Sequence, residues 1–289
     1  MPSGATDPAT YAGHWGRVYE EDPSAQTREW HCRWEDCREA VAPFVSRAAH
    51  PDGLVVDLGC GGSSMGHEVC RDFGIGRVLM TDIDPGIVEV MRERYAARRD
   101  EPSALPGTKS DGATADPPSS SAVVARCAAA DARDLSGLVP SRGAAVVVDK
   151  GTLDALHGDE DKIATLRECA RVLDDDPTRP GVVVSVSFPS AARVALLDRV
   201  APQLGMRWRL KVIADGDPKF GHAAVFVAVL GRETNDPALD GMFDQDPEDE
   251  LTAVVLRRCR VAGSIIEEEP PRPEDALTLF DEDEEEAKP

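Results

Sequence analysis

Four stretches carry residues whose types and spacing suit ligand binding and group transfer at the ends of strands. The first is Val55-Val56-Asp57-Leu58-Gly59-Cys60-Gly61-Gly62-Ser63-Ser64. An apolar run ends at Asp57 and Leu58, and the chain then turns through Gly59, Gly61 and Gly62, where the backbone must bend tightly and come close to a ligand. The dinucleotide fingerprint needs a further glycine at position 64, and this chain has Ser64. Asp57 points the same way, because its carboxylate repels a pyrophosphate but can hold water or the amino end of a cationic ligand. S-adenosylmethionine, with a sulfonium and an ammonium group, is such a ligand. The plainer alternative is an ordinary strand-to-helix turn.

The second stretch ends in Asp82-Ile83-Asp84. A carboxylate at position 82 can accept hydrogen bonds from both ribose hydroxyls of a nucleoside lying across the strand ends, while Asp84 caps the following helix. The third is Ala130-Asp131-Ala132, where Asp131 can accept an adenine amino group or cap a helix over 132–138. The fourth is Asp149-Lys150-Gly151-Thr152-Leu153-Asp154-Ala155-Leu156. Enzymes that methylate planar amide or exocyclic base nitrogens carry an Asn/Asp-Pro-Pro-aromatic tetrad here, and Asp-Lys-Gly-Thr does not match it. Asp154 and His157 are the candidates for the acceptor side, with Phe188 and Pro189 at the same mouth. The alternative for Asp154 and His157 is a place on the surface.

The elements that must position these residues are legible as short Val-rich runs alternating with helical patterns. Strands are expected at 54–58, 77–81, 122–127, 144–148, 181–188, 207–213 and 223–230, the first five suited to burial on both faces of a parallel sheet. Helices are expected over 85–98, with Pro85 at its first position, over 161–173 and over 190–204. The expected order is strand–helix five times, then two strands joined as a hairpin, since antiparallel neighbours need no long crossover. The fold class is α/β, a Rossmann-like doubly wound sheet of seven strands, mostly parallel with the last strand antiparallel. An NAD-binding Rossmann domain would continue in parallel.

The formal net charge is −21, from 32 basic and 53 acidic residues, and more than half of the excess lies beyond Gly231. An acidic body without a Lys/Arg stripe is a poor polyphosphate binder, so nucleic acid is excluded and a basic protein or small amine fits better. No run approaches the length of a membrane span. The N-terminus has neither a secretory nor a mitochondrial pattern, and a cytoplasmic location is the expectation. The seven cysteines lack paired spacing, and Cys32 and Cys37 have no second Cys/His pair to complete a zinc site, so no metal is expected. A flexible N-terminus is expected over 1–13 and one catalytic domain over 14–230, with a disordered Pro/Gly/Ser-rich insertion at 100–121. An acidic, mostly disordered tail is expected over 231–289, where only 251–261 could form a strand or short helix.

The Asp149–Leu156 run, the glycine loop and the N-terminal His14-Trp15-Gly16-Arg17-Val18-Tyr19 with Glu29-Trp30 resemble a eukaryotic family of class I protein-lysine methyltransferases. Its members modify elongation factor 1A and citrate synthase. The resemblance spans 14–231 without the insertion. It implies S-adenosylmethionine as cofactor and a protein substrate, elongation factor 1A-like or another basic protein. It also implies that Trp15, Tyr19 and Trp30 help enclose the cofactor, together with Gly59, Asp82 and Ile83, Asp131 and Ala132, and Lys150. Gly61 and Asp57 belong to the same cofactor loop. The family often has Tyr-Trp-Asp-x-Arg-Tyr where this chain displaces the arginine by one. A small-molecule methyltransferase and a non-catalytic S-adenosylmethionine-binding scaffold are the alternatives.

Overall fold

The computed structural model describes residues 5–98, 123–213 and 224–266, apart from 235 and 247. The strands are β1 Leu54–Leu58, β2 Arg77–Asp82, β3 Val124–Ala129, β4 Val146–Lys150, β5 Val182–Ser187, β6 Met206–Ile213 and β7 Val225–Arg232. They form one sheet in the order β3-β2-β1-β4-β5-β7-β6. Strands β1 to β5 run parallel, and β7 inserts antiparallel between β5 and β6. The valine runs explain the layering. Val147 and Val183 enter one apolar layer, while Val146, Val148, Val182 and Val184 enter the other, as the alternation of side chains along a strand requires.

The helices are α1 Pro8–Glu21, α2 Trp34–Ala48, α3 Met65–Phe73, α4 Pro85–Arg98, α5 Thr152–Ala155, α6 Gly158–Val172, α7 Ala191–Gln203, α8 Pro237–Gly241 and α9 Glu250–Ile266. Helix α4 begins as its sequence requires, with Asp84 Oδ1 accepting from the Ile87 N–H at 2.8 Å. The chain moves outward from β1 to β3 and then crosses to β4 on the other side of β1, so the strand order reverses between β1 and β4. Their carboxyl ends are level, with Leu58 opposite Asp149, and Asp82 is level with Ala129. A crevice at this switch point is where such sheets bind ligands.

Three expectations fail. The segment between β3 and β4 holds turns rather than a helix over 132–138. Asp134 takes the Ser136 N–H, Glu168 takes the Leu135 N–H at 2.6 Å, and Gly137, Pro140 and Gly143 break any helical run. The N-terminus is helical from Pro8 rather than flexible to residue 13, because Asp7 caps α1 and Tyr11 is buried. The folded body also does not stop at residue 230. Helix α9 buries Leu256 and Cys259 in the core layer that contains β6, and Thr252 Oγ1 accepts from the Val212 N–H at 2.9 Å. The edge strand β6 is thereby covered, which removes an open pairing edge. The insertion at 100–121 and the run 267–289 lie outside the described residues. Among the described residues no helix is long and apolar enough to cross a membrane.

Candidate active site

On α1, Tyr11, Trp15 and Tyr19 recur every four residues and so share one face. Trp15 stands 5.9 Å from Tyr19 and edge-on to Trp30 at 6.3 Å between ring centroids. These aromatics line one side of a cleft of about 220 Å³. The facing side is made of strand ends: Gly59 to Gly61, Asp82 and Ile83, Ala130 to Ala132, and Lys150 to Thr152.

Asp82 is buried at the end of β2. Its Oδ2 accepts from the Gly61 N–H at 2.9 Å and its Oδ1 from the Asp84 N–H at 3.0 Å. Burial pushes its carboxyl up to about 6, against the lowering effect of these backbone donors. Gly59 and Gly61 both adopt the left-handed conformation, at φ 52° and 50°. A side chain at Gly59 would also overlap Thr152, whose hydroxyl donates to the Leu58 carbonyl at 2.6 Å. The loop is clamped from the other side by Arg94 of α4, which donates to the carbonyls of Gly62 and Gln26. Tyr19 presents a phenol raised well above its usual range by burial and by the nearby Asp82 charge, so it stays protonated.

Glu29 joins three elements. Its Oε2 pairs with Lys150 and accepts from Ser63 Oγ at 2.8 Å, and its Oε1 accepts from the Ser64 N–H at 3.0 Å. Burial opposes its charge, but the Lys150 ammonium and the Ser donors hold its carboxyl below the ordinary value. Lys150 therefore faces the cleft already paired. At the far end, His31 Nε2 lies 3.4 Å from Asp154 Oδ2, and that oxygen also accepts from the Phe188 N–H at 3.1 Å. Asp154 Oδ1 is taken by Arg193. A second network fixes α1. Arg133 pairs with Asp131 and, at 2.5 Å, with Asp161, while Tyr11 donates to Asp161 at 2.7 Å and accepts from the His157 N–H at 2.7 Å.

No family model matches the chain. It is 25% identical over 163 residues to the eEF1A lysine and N-terminal methyltransferase of Mus musculus, a match covering 56% of this chain and 19% of that protein. It is 29% identical over 149 residues to the mitochondrial citrate synthase-lysine N-methyltransferase of Danio rerio, covering 49% of this chain and 52% of the relative. The chain thus spans about half, or less, of the curated relatives it matches. Among solved structures, magnesium protoporphyrin IX methyltransferase from Synechocystis PCC 6803 with bound SAM aligns at a TM-score of 0.53 and 14% identity, over 81% of this chain and all of that one. The fold is that of the class I methyltransferases.

Within this methyltransferase fold, Trp15, Tyr19, Trp30, Gly59, Gly61, Asp82, Ile83, Asp131, Ala132, Lys150 and Asp154 all line the cleft. Asp57 and His157 do not. Asp57 is turned beneath the loop, where its Oδ2 accepts from the Gly66 N–H at 3.0 Å and burial pushes its carboxyl up to about 7. It supports the start of α3 instead of facing a ligand. His157 gives its backbone N–H to Tyr11 and lays its ring 5.2 Å from the Tyr11 ring, outside the cleft. Asp154 lines the cleft, and both of its oxygens are engaged. Sequence reasoning missed Tyr11, His31 and the Glu29 carboxylate. The four-residue spacing from Tyr11 to Trp15 to Tyr19 was the available signal for the first; single polar residues in a loop gave none for the others.

Proposed function

We propose that this chain binds S-adenosylmethionine in the cleft and methylates a lysine side chain of a protein. The observation that carries the reading is the meeting of Asp82, the left-handed glycine loop, the aromatic face of α1 and the Asp149–Leu156 run in one crevice at the switch point. The residues suit the cofactor. A buried carboxylate, already oriented by backbone donors, can accept from two ribose hydroxyls. The backbone at Gly59 and Gly61 is bare where a ligand must come close, and the Trp15, Tyr19 and Trp30 rings suit a sulfonium, since cations are drawn to ring faces. The bound cofactor supplies an activated methyl and its own leaving group, so the protein orients the reactants and excludes water.

Asp131 stands on the adenine side, its carboxylate held in place by Arg133. Ala132 and Ile83 provide apolar surface beside it. The pairing of Lys150 with Glu29 keeps a bare ammonium from repelling a cationic ligand. A lysine acceptor must be neutral to attack, which from a free pKa of ~10.4 costs roughly 4 to 5 kcal/mol near pH 7. Removal from water beside Phe188, Ala155 and Leu156 favours the neutral amine. The similarity to two protein-lysine methyltransferases supports a protein acceptor, and the acidic charge supports a basic one, elongation factor 1A-like or otherwise.

The test is transfer of label from methyl-labelled S-adenosylmethionine into a cell extract separated into protein, nucleic acid and small molecules. Label recovered as methyl-lysine in a discrete protein band is the expected result. Label confined to small molecules would replace the protein acceptor with a metabolite, and cofactor binding without transfer would make the chain a scaffold.

A further inference from the structure

We propose that His31 sets the acceptor specificity of this cleft: its imidazole contacts the group to be methylated, and Asp154 is the positioning residue that holds it there. The inference rests on the methyl-transfer reading of the same cleft.

Four observations converge on this residue. His31 lines the cleft although its relative exposure is only 4%. Its backbone is left-handed, at φ 65°, a conformation that costs free energy for a residue with a side chain and persists where the surroundings enforce it. The ring is seated on the turn after β4. Gly151 lies beneath it at φ 82°, and a Cβ there would come 2.5 Å from His31 Nε2. The same nitrogen faces Asp154, and the ring stands edge-on to Phe188 at 4.2 Å between centroids.

The carboxylate that holds the imidazole is itself fixed. Arg193, 5% exposed, takes Oδ1, and the Phe188 N–H takes Oδ2. Such layering, in which one buried group orients another, is how a contact residue keeps a single geometry. It also separates neighbouring tasks along the chain. Glu29 reaches the glycine loop and Lys150, Trp30 joins the aromatic wall, and His31 meets the Gly151 turn and Asp154. Phe188 stands against the imidazole, and Ala155 and Leu156 line the same cleft, apolar surface that suits a narrow alkylamine with the imidazole as a polar contact.

The experiment uses His31→Asn, which keeps a residue tolerant of the left-handed backbone and removes the ring, and His31→Gly, which keeps the backbone freedom alone. Two quantities are measured on the full chain. One is the dissociation constant of S-adenosylhomocysteine by calorimetry; the other is the amount of cell-extract protein giving half-maximal labelling from S-adenosylmethionine. The expected result is cofactor affinity within about twofold of the unaltered chain, with the half-maximal extract concentration raised about fivefold or more. Equal loss of S-adenosylhomocysteine affinity would assign His31 to the cofactor and overturn the proposal. An unchanged extract requirement, or failure of both variants to fold, would overturn it too, leaving the ring only a structural part. Absence of transfer by the unaltered chain, despite S-adenosylhomocysteine binding, would overturn the methyl-transfer reading itself and this inference with it.

Discussion

Replacing Glu29 by Gln and Lys150 by Met should have unequal costs, because the two partners are buried unequally. The Lys150 side chain is 4% exposed and that of Glu29 26%. In Glu29→Gln the ammonium stays buried without a counter-charge, a loss of about 3 to 5 kcal/mol for a broken buried pair. In Lys150→Met the carboxylate keeps the Ser63 hydroxyl and the Ser64 N–H and reaches some water, so the loss falls to about 1 kcal/mol. The double variant removes both charges and should cost less than the two losses together by about 2 kcal/mol. Urea unfolding at neutral pH measures all three. At about 2 to 4 °C per kcal/mol for a chain of this size, Glu29→Gln should also melt roughly 10 °C lower. Equal losses from the two single variants, or strict additivity in the double, would refute the claim that this pair is a buried clamp on the glycine loop.

Gly59→Ala should weaken S-adenosylhomocysteine binding and cost at least about 1 to 2 kcal/mol in stability, since it must hold a left-handed φ and overlap Thr152. Combining it with Thr152→Ala should recover only the part due to overlap, as read in thermal melts. Tyr11→Phe should lose about 1 to 3 kcal/mol in urea unfolding, because the buried Asp161 oxygen and His157 N–H each lose a partner. The affinity for S-adenosylhomocysteine should fall as pH drops through about 6, where Asp82 takes up a proton and one carboxylate oxygen ceases to accept, and level off above it. Calorimetry across pH 5 to 8 checks the sign, and Asp82→Asn should flatten the profile.

What the sequence made legible were features with local periodicity. Short apolar runs, the first five rich in valine, located all seven strands to within a few residues, and the short link between the last two implied their antiparallel pairing. Strand ends then brought Gly59, Asp82, Asp131 and Lys150 together, because a parallel sheet places the carboxyl ends of its central strands side by side. The missing pieces depend on contacts distant in sequence. Glu29 acquires its role only when the loop after α1 folds over Ser63, Ser64 and Lys150. Asp131 and Asp161 become one site only through Arg133. The acidic composition beyond residue 230 left 251–261 open between a strand and a short helix, because Leu251, Val254 and Val261 of α9 are exposed while Thr252, Leu256 and Cys259 are buried, so its apolar residues do not mark one buried face. Asp57 shows the converse: a residue type suited to the ligand was used to support the start of a helix.

The most direct test of the central claim is titration of S-adenosylhomocysteine into the full chain and into Asp82→Ala. The account predicts saturable one-to-one binding by the unaltered protein and at least about tenfold weaker binding by the variant, equivalent to about 1.4 kcal/mol, with folding retained. Absence of saturable binding, or equal affinity in the two proteins, would contradict it.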